Sequence, residues 1–410
     1  MRLPPLIASL TRHKLTVALM LLATALTCAI VVNVASMIAG RLALLHAPSG
    51  LDESSLVTLD SSRVDAAGFG SDNPHHEQLM QYRADVASLR GISGVSAATA
   101  LSGLPFEGGV GIDIAAKAGT PEGQMLQATG FMGGAGEVET LGLRLTQGRD
   151  FLPSEYVPLE GFKGLQQVSV AIVSRALAER LFQTDDAAGR LFYTSGRPIR
   201  VVGVVDHLMG MSPRLGAADN EYAMLLPIEP DGDYVTLALR TRPENRDRVL
   251  RHAVDVLGNR DPQRILDAQT FMEVREKYFQ RDSAMAGLLL AAGLGLLIVT
   301  AAGIAGLASF WVQQRRHSIG IRRALGATRA EILRHFQTEN FLIVTGGVLL
   351  GCVLAYAINL MLMHYYAVQV LPPGYLAIGA IALWLIGQLA VLGPALRAAA
   401  VPPAAATRSV

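Results

Sequence analysis

The chain has 410 residues, of which 51% are hydrophobic and only 17% carry a charge. This composition disfavours an ordinary soluble protein and indicates a membrane protein with room for two or three domains. The net charge of +1 conceals a strong partition. Residues 41–282 contain 24 of the 35 basic and 32 of the 34 acidic residues, a net charge of −8, and the remainder carries +9. The pattern predicts an acidic water-soluble domain on a membrane unit with basic flanks.

Four long apolar stretches predict four transmembrane helices, because about 20 apolar residues are needed to cross a bilayer. We place the four spans at 15–40, 284–312, 339–363 and 375–396. The first is longer than the apolar region of a secretory signal peptide, which covers about 7–15 residues, so we expect a retained anchor. Arg-rich short segments stay in the cytoplasm, whereas uncharged ones can cross. We therefore expect a cytoplasmic loop at 313–337, cytoplasmic tails at 1–14 and 397–410, and an outer loop at 364–374.

Residues 41–282 are predicted to fold as a large mixed α+β domain between the first and second spans. Runs with the length and composition of strands occur at 55–60, 95–101, 110–115, 168–173, 199–205, 222–228 and 234–239. Helical spacing occurs at 76–89, 174–182 and 245–257. A further helix, predicted at 267–285, would continue without a break into the second span. Both cysteines, Cys28 and Cys352, fall in spans, so this domain has no disulfide.

The basic loop 313–337 is predicted to hold two helices that meet near Gly326. Gly326 directly follows Leu325 and suits a left-handed helix stop, and Thr328 with Glu331 three residues later forms a capping-box pattern. The first helix, at about 317–325, would lie along the membrane surface. The second would begin at Arg329 and rise into the third span.

Within this loop, the string RRHSIGIRRALGATRAEIL resembles the cytoplasmic loop of FtsX/MacB-type ABC transporter permeases, whose usual form is close to R-x-x-E-I-G-I-x-R-A-L-G-A. Ser318 stands where that family most often has Glu. The resemblance implies that the helix before the Gly is a coupling helix that docks on an ATPase. The residues it assigns to coupling are Arg315, Arg316, Ile319, Gly320, Ile321, Arg322, Arg323, Ala324, Leu325 and Gly326. The alternative is an ordinary positively charged cytoplasmic loop.

The resemblance extends over nearly the whole chain. Three segments follow the order and spacing of a MacB-type periplasmic core domain: ETLGLRLTQGRDF at 139–151, VSVAIVSRALAERLF at 168–182 and IRVVGVV at 199–205. The closing segment GPALRAAAVPPAAATR at 393–408 is also similar to the family's end. In that family one lobe of the periplasmic domain is inserted into the other. By analogy we place the insert at about 118–215.

A stripe of small residues on the second span predicts a close helix–helix contact. Gly287, Ala291 and Gly295 are spaced four residues apart, which lets helix backbones approach each other in lipid. The stripe would face either a second permease or the other spans of the same chain.

The sequence lacks the residue patterns of an enzyme. It has no G-x-x-x-x-G-K-[ST] motif, so we expect no ATP hydrolysis, catalytic site, metal or cofactor in this chain, with ATP and Mg²⁺ bound by a partner ATPase. Nothing indicates nucleic-acid binding. No ionisable residue lies deep in a span, which disfavours a proton-coupled carrier.

The resemblance implies the permease subunit of an ABC transporter of the MacB/FtsX mechanotransmission type. It would sit in a bacterial inner membrane, in contact with lipids, with both termini in the cytoplasm and the large domain in the periplasm. A separate ATPase and a second permease copy or paralogue would be its partners, with a periplasmic adaptor and an outer-membrane duct beyond them. The expected cargo is a peptide, antibiotic, toxin or lipoprotein. Two alternatives stay open: a non-transporting regulator of a cell-wall hydrolase or sensor kinase, and a membrane-tethered periplasmic enzyme.

Overall fold

The computed structural model describes residues 14–63, 74–160, 163–184, 186–214, 217–232, 234–366 and 371–400. Residues 1–13 and 401–410 of the predicted tails and 367–370 of the predicted outer loop lie outside the described residues. The chain divides into two compact units. The soluble unit is His46–Arg281, and the membrane unit comprises the described parts of Met1–Leu45 and Asp282–Val410.

The helices alternate with strands in the soluble unit and dominate the membrane unit. The α-helices are α1 Lys14–Leu45, α2 Pro74–Arg90, α3 Glu137–Leu141, α4 Gly164–Gln167, α5 Arg175–Phe182, α6 Arg246–Arg260, α7 Phe271–Gln314, α8 Arg316–Ala324, α9 Arg329–Tyr366 and α10 Pro373–Ala399. The strands are β1 Leu56–Arg63, β2 Val95–Leu101, β3 Val110–Ile114, β4 Leu126–Met132, β5 Leu145–Gly148, β6 Val157–Pro158, β7 Val170–Ser174, β8 Leu191–Thr194, β9 Arg197–Val205, β10 Ala223–Leu226, β11 Ile228–Glu229, β12 Val235–Thr241 and β13 Arg264–Thr270.

The strands of the soluble unit form two main sheets. Four antiparallel strands in the order β13-β1-β12-β2 make the first sheet, and a mixed sheet in the order β3-β4-β10-β7-β9-β5, with β8 also paired to β9, makes the second. The chain leaves the first sheet after β2 and returns to it at β12, so the second sheet belongs to an inserted lobe. We call the part around the first sheet the first lobe and the inserted part the second lobe. The mixed α+β fold predicted from the sequence is confirmed.

Each lobe has its own apolar core because the helices present one apolar face to their sheet. In the first lobe, Val249, Ala253 and Leu257 lie four residues apart on α6 and are fully buried in the cluster that includes the sheet. In the second lobe, every residue of β7 is buried, as expected for a central strand covered on both faces. Helix α5 begins beside it, where the Leu177 amide donates to Ser174 Oγ at 3.2 Å.

One predicted helix begins later than expected. Residues 267–270 were predicted to be helical, but they belong to strand β13, which pairs with β1 through contacts such as Ala268 with Leu59. The helix begins at Phe271 because Thr270 and Glu273 form a capping box. The Thr270 amide donates to Glu273 Oε2 at 2.7 Å, and the Glu273 amide donates to Thr270 Oγ1 at 3.3 Å.

The second lobe is wider than the predicted insert at 118–215. Its sheet extends from β3, which begins at Val110, to β10, which ends at Leu226. Strand β3 pairs with β4, and β10 lies between β4 and β7. The pairings of β10 join segments about 95 and 50 residues apart in sequence, so this edge of the lobe depends on long-range contacts that local patterns do not reveal.

Among the described residues, four helices are long and apolar enough to cross a membrane, namely α1, α7, α9 and α10. Helices α1, α9 and α10 pack tightly through glycines. A Cβ on Gly351 of α9 would lie 2.4 Å from Cys28 Cβ on α1, and one on Gly387 of α10 would lie 2.9 Å from Val344 Cγ2 on α9. Close backbone contact of this kind is typical of helices packed in lipid. Most of α7, by contrast, is exposed in the described chain.

Candidate functional site

The basic loop forms the short helix α8, followed by a sharp turn into α9. Helix α8 ends at Ala324, and Gly326 has the left-handed angle φ = 101° that favours glycine. At the start of α9, the Thr328 amide donates to Glu331 Oε2 at 2.9 Å and the Glu331 amide donates to Thr328 Oγ1 at 3.3 Å. The helix stop and the capping box therefore occur at the residues where the sequence predicts them.

One side of α8 is anchored in the membrane unit. Ile319 is 5% exposed and belongs to an apolar cluster with Trp311 of α7 and with Ile332 and Phe336 of α9. Gly320 beside it is also buried. These contacts fix α8 against the ends of two long helices, so Ile319 and Gly320 hold the helix in place and are not available to a partner.

Arg315 also faces inward, because it forms an ion pair that joins the end of α7 to α9. Its Nη1 lies 3.1 and 3.2 Å from the two carboxylate oxygens of Glu339, which is only 1% exposed. Its guanidinium carbon lies 5.5 Å from the centre of the Trp311 ring. A buried carboxylate requires such a partner, since an unpaired charge in this position is costly. Sequence reasoning missed Glu339, although it is one of only two acids in the sequence outside 41–282.

The opposite side of α8 presents an exposed apolar surface beside a positive charge. Ile321 is 43% exposed and Leu325 is 83% exposed. The two lie one helical turn apart, with the Leu325 amide donating to the Ile321 carbonyl at 3.0 Å. Arg322, Ala324 and Gly326 are also exposed. We call Ile321, Arg322 and Leu325 the docking face. The side chains of Arg316 and Arg323 lie outside the described part of the chain.

The structure thus divides the residues assigned to coupling into two groups. Arg315, Ile319 and Gly320 face the membrane unit and position the helix, while the docking face points away from it. The sequence alone gave all of them one role. A helix whose one side is anchored and whose other side exposes large apolar side chains is suited to bind a partner protein.

The small-residue stripe on α7 faces outward within the described chain. Gly287, Ala291 and Gly295 are exposed, and a Cβ on either glycine would have no neighbouring atom within 4 Å. The contact that the stripe forms stays a prediction.

Comparison with known families identifies both units. Residues 17–257 match the MacB-like periplasmic core domain, and residues 290–403 match the FtsX-like permease C-terminal domain. Together with the four described helices that are long and apolar enough to cross a membrane, these matches define a multi-pass membrane protein. The chain belongs to the family of FtsX/MacB-type ABC transporter permeases, as its sequence predicted.

Part of this chain is similar to several proteins of known name. The pyoverdine export ATP-binding/permease protein PvdT of Pseudomonas savastanoi pv. phaseolicola is 28% identical over 255 residues, covering 59% of this chain and 38% of PvdT. The macrolide export ATP-binding/permease protein MacB of Neisseria gonorrhoeae is 24% identical over 58% of this chain and 36% of MacB. The chain thus spans little more than a third of the length of these relatives.

A second kind of relative is named as a permease alone, and a solved structure is similar to part of this chain. The uncharacterised ABC transporter permease YknZ of Bacillus subtilis is 25% identical over 52% of this chain and 53% of YknZ. The crystal structure of the periplasmic region of MacB from Actinobacillus actinomycetemcomitans is similar over 56% of this chain and 94% of that structure, with 13% identity and a TM-score of 0.36.

Proposed function

We propose that this chain is the membrane subunit of an export-type ABC transporter and that a separate ATPase subunit binds its docking face. ATP binding and hydrolysis in that subunit would shift α8, and the motion would move the soluble unit. The membership in the FtsX/MacB-type permease family supports the class. PvdT and MacB are named as ATP-binding/permease proteins, and the similarity covers 38% and 36% of their lengths.

The observation that carries the proposal is the two-sided arrangement of α8. Ile319 and the Arg315–Glu339 pair fix one side to α7 and α9, so a force applied to α8 acts on both long helices. The docking face offers two large apolar side chains and a cation to a partner. Apolar anchors that become desolvated in an interface usually supply most of its binding energy.

Helix α7 supplies a continuous connection along the chain. It begins at Phe271, directly after strand β13 of the soluble unit, and ends at Gln314, next to Arg315. In an unbroken helix, successive i to i−4 backbone hydrogen bonds link the two ends, so a displacement at one end has a continuous route to the other. A single two-state equilibrium would then be shared by the ATPase and by a ligand of the soluble unit.

The surrounding assembly follows from the same proposal. In this proposal the chain lies in a bacterial inner membrane, and the positive charges of the basic loop support a cytoplasmic position for that loop and for both termini, with the soluble unit in the periplasm. ATPase subunits that dimerise need two docking faces, so a second permease copy or paralogue would complete the complex. A periplasmic peptide, antibiotic, toxin or lipoprotein would be the cargo, passed to an adaptor and an outer-membrane duct.

Co-purification from native membranes tests the proposal. The tagged full chain is extracted gently, and the proteins bound to it are identified by mass spectrometry. We expect an ABC ATPase with the wild-type chain, and at least a tenfold loss of it with Ile321→Asp combined with Leu325→Asp. Ala330→Asp is the matched control, because Ala330 is exposed in the same loop and an acid is favourable in the first turn of α9.

The outcomes separate the docking face from the function. If the double variant retains the ATPase as well as the control does, the docking face is wrongly assigned. If the wild-type chain yields no ATPase, the transporter function itself is refuted. A hydrolase or sensor kinase bound together with the ATPase would favour a regulator over an exporter.

A further inference from the structure

The first connection between the two lobes of the soluble unit is a compact loop. We call residues 102–109, between β2 and β3, the linker loop. The Gly108 amide donates to the Leu104 carbonyl at 3.1 Å, and a Cβ on Gly103 would lie 2.6 Å from the Gly108 carbonyl. The loop is therefore closed on itself so tightly that only glycine fits at its base.

Phe106, at the tip of this loop, is held in an unfavourable backbone conformation. Its φ angle is 74°, in the left-handed region that bulky residues rarely adopt. The side chain is only 7% exposed, and its ring centre lies 5.9 Å from Phe271, 5.3 Å from Tyr278 and 5.3 Å from Phe279. All three aromatic residues belong to the first turns of α7. Strain of this kind persists only where the surrounding contacts fix the residue, and it often marks a functional element.

Arg275 of α7 joins the loop to a second segment of the unit. Its guanidinium carbon lies 5.5 Å from the Phe106 ring centre and 5.8 Å from that of Phe279. The same guanidinium donates to the Ala47 carbonyl at 2.6 Å and forms an ion pair with Glu53. One side chain thus links α7, the linker loop and the segment that follows α1 in the chain.

Polar contacts on either side of the aromatic cluster strengthen the link. Gln269 Nε2 donates to Glu107 Oε1 at 2.9 Å, and Lys277 Nζ donates to Gln269 Oε1 at 2.6 Å. On the other side, Tyr278 Oη donates to the carbonyl of Pro213 in the second lobe at 3.3 Å. The first turns of α7 therefore contact both the linker loop and the second lobe itself.

The return connection from the second lobe is held by a different helix. Tyr82 Oη of α2 donates to the Gly232 carbonyl at 2.9 Å, and Arg83 of α2 forms a two-point ion pair with Glu229. Helix α2 packs in the core of the first lobe. One connection is therefore tied to the fixed framework of the first lobe, and the other to the helix that continues into the membrane unit.

We propose that Phe106 and Arg275 form a joint through which α7 sets the position of the second lobe relative to the first. When α7 shifts, Phe106 must follow it or leave the left-handed conformation, and either change displaces the start of β3. Packed contacts switch between discrete arrangements and do not deform continuously. The second lobe would therefore take one of two positions, depending on whether Phe106 keeps its left-handed conformation. The inference rests on the proposed function for the source of the motion, but the contact itself can be tested without an ATPase.

The first experiment measures hydrogen–deuterium exchange on the full chain in lipid nanodiscs without nucleotide. Phe106→Ala is expected to raise the exchange rate at least tenfold in the first turns of α7, residues 271–281, and Arg275→Gln to do the same in the linker loop. In each of these two segments, the exchange rate of the double variant should exceed that of the more strongly affected single variant by less than twofold, because both changes break the same contact. Phe151→Ala is the control, since Phe151 is an equally buried phenylalanine of the second lobe that packs on Tyr156.

If Phe106 and Arg275 do not act together, the exchange experiment gives a different result. Each substitution then changes the exchange rate only in the segment that contains it, and the changes in the double variant are the product of the single ones. That result would refute the joint. Phe106→Tyr keeps the ring and should stay close to the wild type, whereas Arg275→Lys keeps the charge but not the planar guanidinium, so its exchange rate should lie between those of the wild type and Arg275→Gln. They also keep the test decisive if either truncated variant fails to fold.

The second experiment adds the co-purified ATPase and compares exchange with and without ATP. The wild-type chain should respond in residues 271–281 and in residues 206–214 of the second lobe. In Phe106→Ala the response at 271–281 should remain, while the response at 206–214 should fall at least fivefold. An undiminished response at 206–214 would refute the joint. If the wild type shows no ATP response, the proposed function fails and the transmitting role fails with it, and the first experiment still decides whether the contact exists.

Discussion

Glu137 gives the sharpest prediction about the soluble unit, because it is a fully buried acid. Its side chain is 0% exposed, and neither carboxyl oxygen has a hydrogen-bond partner among the described residues. Burial, reinforced by the nearby carboxylate of Asp150, raises the pKa of Glu137 well above its usual value. The folded chain therefore keeps this carboxyl protonated at pH values where the unfolded chain releases the proton.

The sign of the pH effect follows from this difference in proton binding. Above about pH 4.3, the usual pKa of Glu, the unfolded state binds fewer protons than the folded state. The contribution of Glu137 is therefore complete below that pH and is lost as the pH rises towards the folded-state pKa. A carboxyl that stays protonated in the fold lowers the free energy of unfolding by about 1.4 kcal/mol per pH unit. Between pH 6 and pH 8 this slope limits the loss to at most about 2.7 kcal/mol, or about 5–10 °C in melting temperature for a unit of this size.

Glu137→Gln removes the ionisation while keeping the shape of the side chain. We expect its melting temperature to fall less between pH 6 and pH 8 than that of the wild type, by up to about 5–10 °C. The assay is thermal unfolding of the full chain in detergent at pH 6, 7 and 8. Glu139→Gln, at an exposed position of the same helix α3, is the control and should retain the wild-type slope. Equal slopes for the wild type and Glu137→Gln would refute the reasoning.

Three further predictions concern the membrane unit. Gly351→Leu should abolish stable insertion, because even a Cβ at this position would lie 2.4 Å from Cys28 Cβ on α1. Gly295→Leu is the control: a Cβ there would have no neighbouring atom within 4 Å, so this variant should be present at the wild-type level in an immunoblot of the membrane fraction. Glu339→Gln weakens the buried pair with Arg315 and should cost about 3 kcal/mol, measured as faster proteolysis of the basic loop; an unchanged rate would mean that the pair does not anchor α8. Gly326→Val introduces a side chain at φ = 101° and should cost about 1–3 kcal/mol and reduce ATPase binding, with Gly326→Asn closer to the wild type.

Local features of the chain were predictable because their causes are local. The helix stop at Gly326 and the capping box of Thr328 with Glu331 involve residues within one turn of each other. Strand β2 has the predicted limits, Val95–Leu101, because an apolar run between turns specifies it. The family was recognisable for the same reason, since its loop motif is a continuous string. The capping box of Thr270 and Glu273 is equally local, and this pattern of residues by itself predicts that α7 begins at Phe271.

The sequence by itself determined the four apolar helices, the mixed α+β insert and the two helices that meet near Gly326 in the basic loop. Apolar length, strand periodicity and capping residues are properties of short segments, and they act wherever the segment lies. Only the tertiary structure decided which side of α8 is buried and which is exposed, because Ile319 packs on distant helices and Arg315 pairs with Glu339, a residue 24 positions away. It also decided the limits of the second lobe and the contact of Phe106 with Arg275, 169 positions apart. Contacts of this kind depend on which distant surfaces meet when the apolar cores form, and no local pattern encodes that choice.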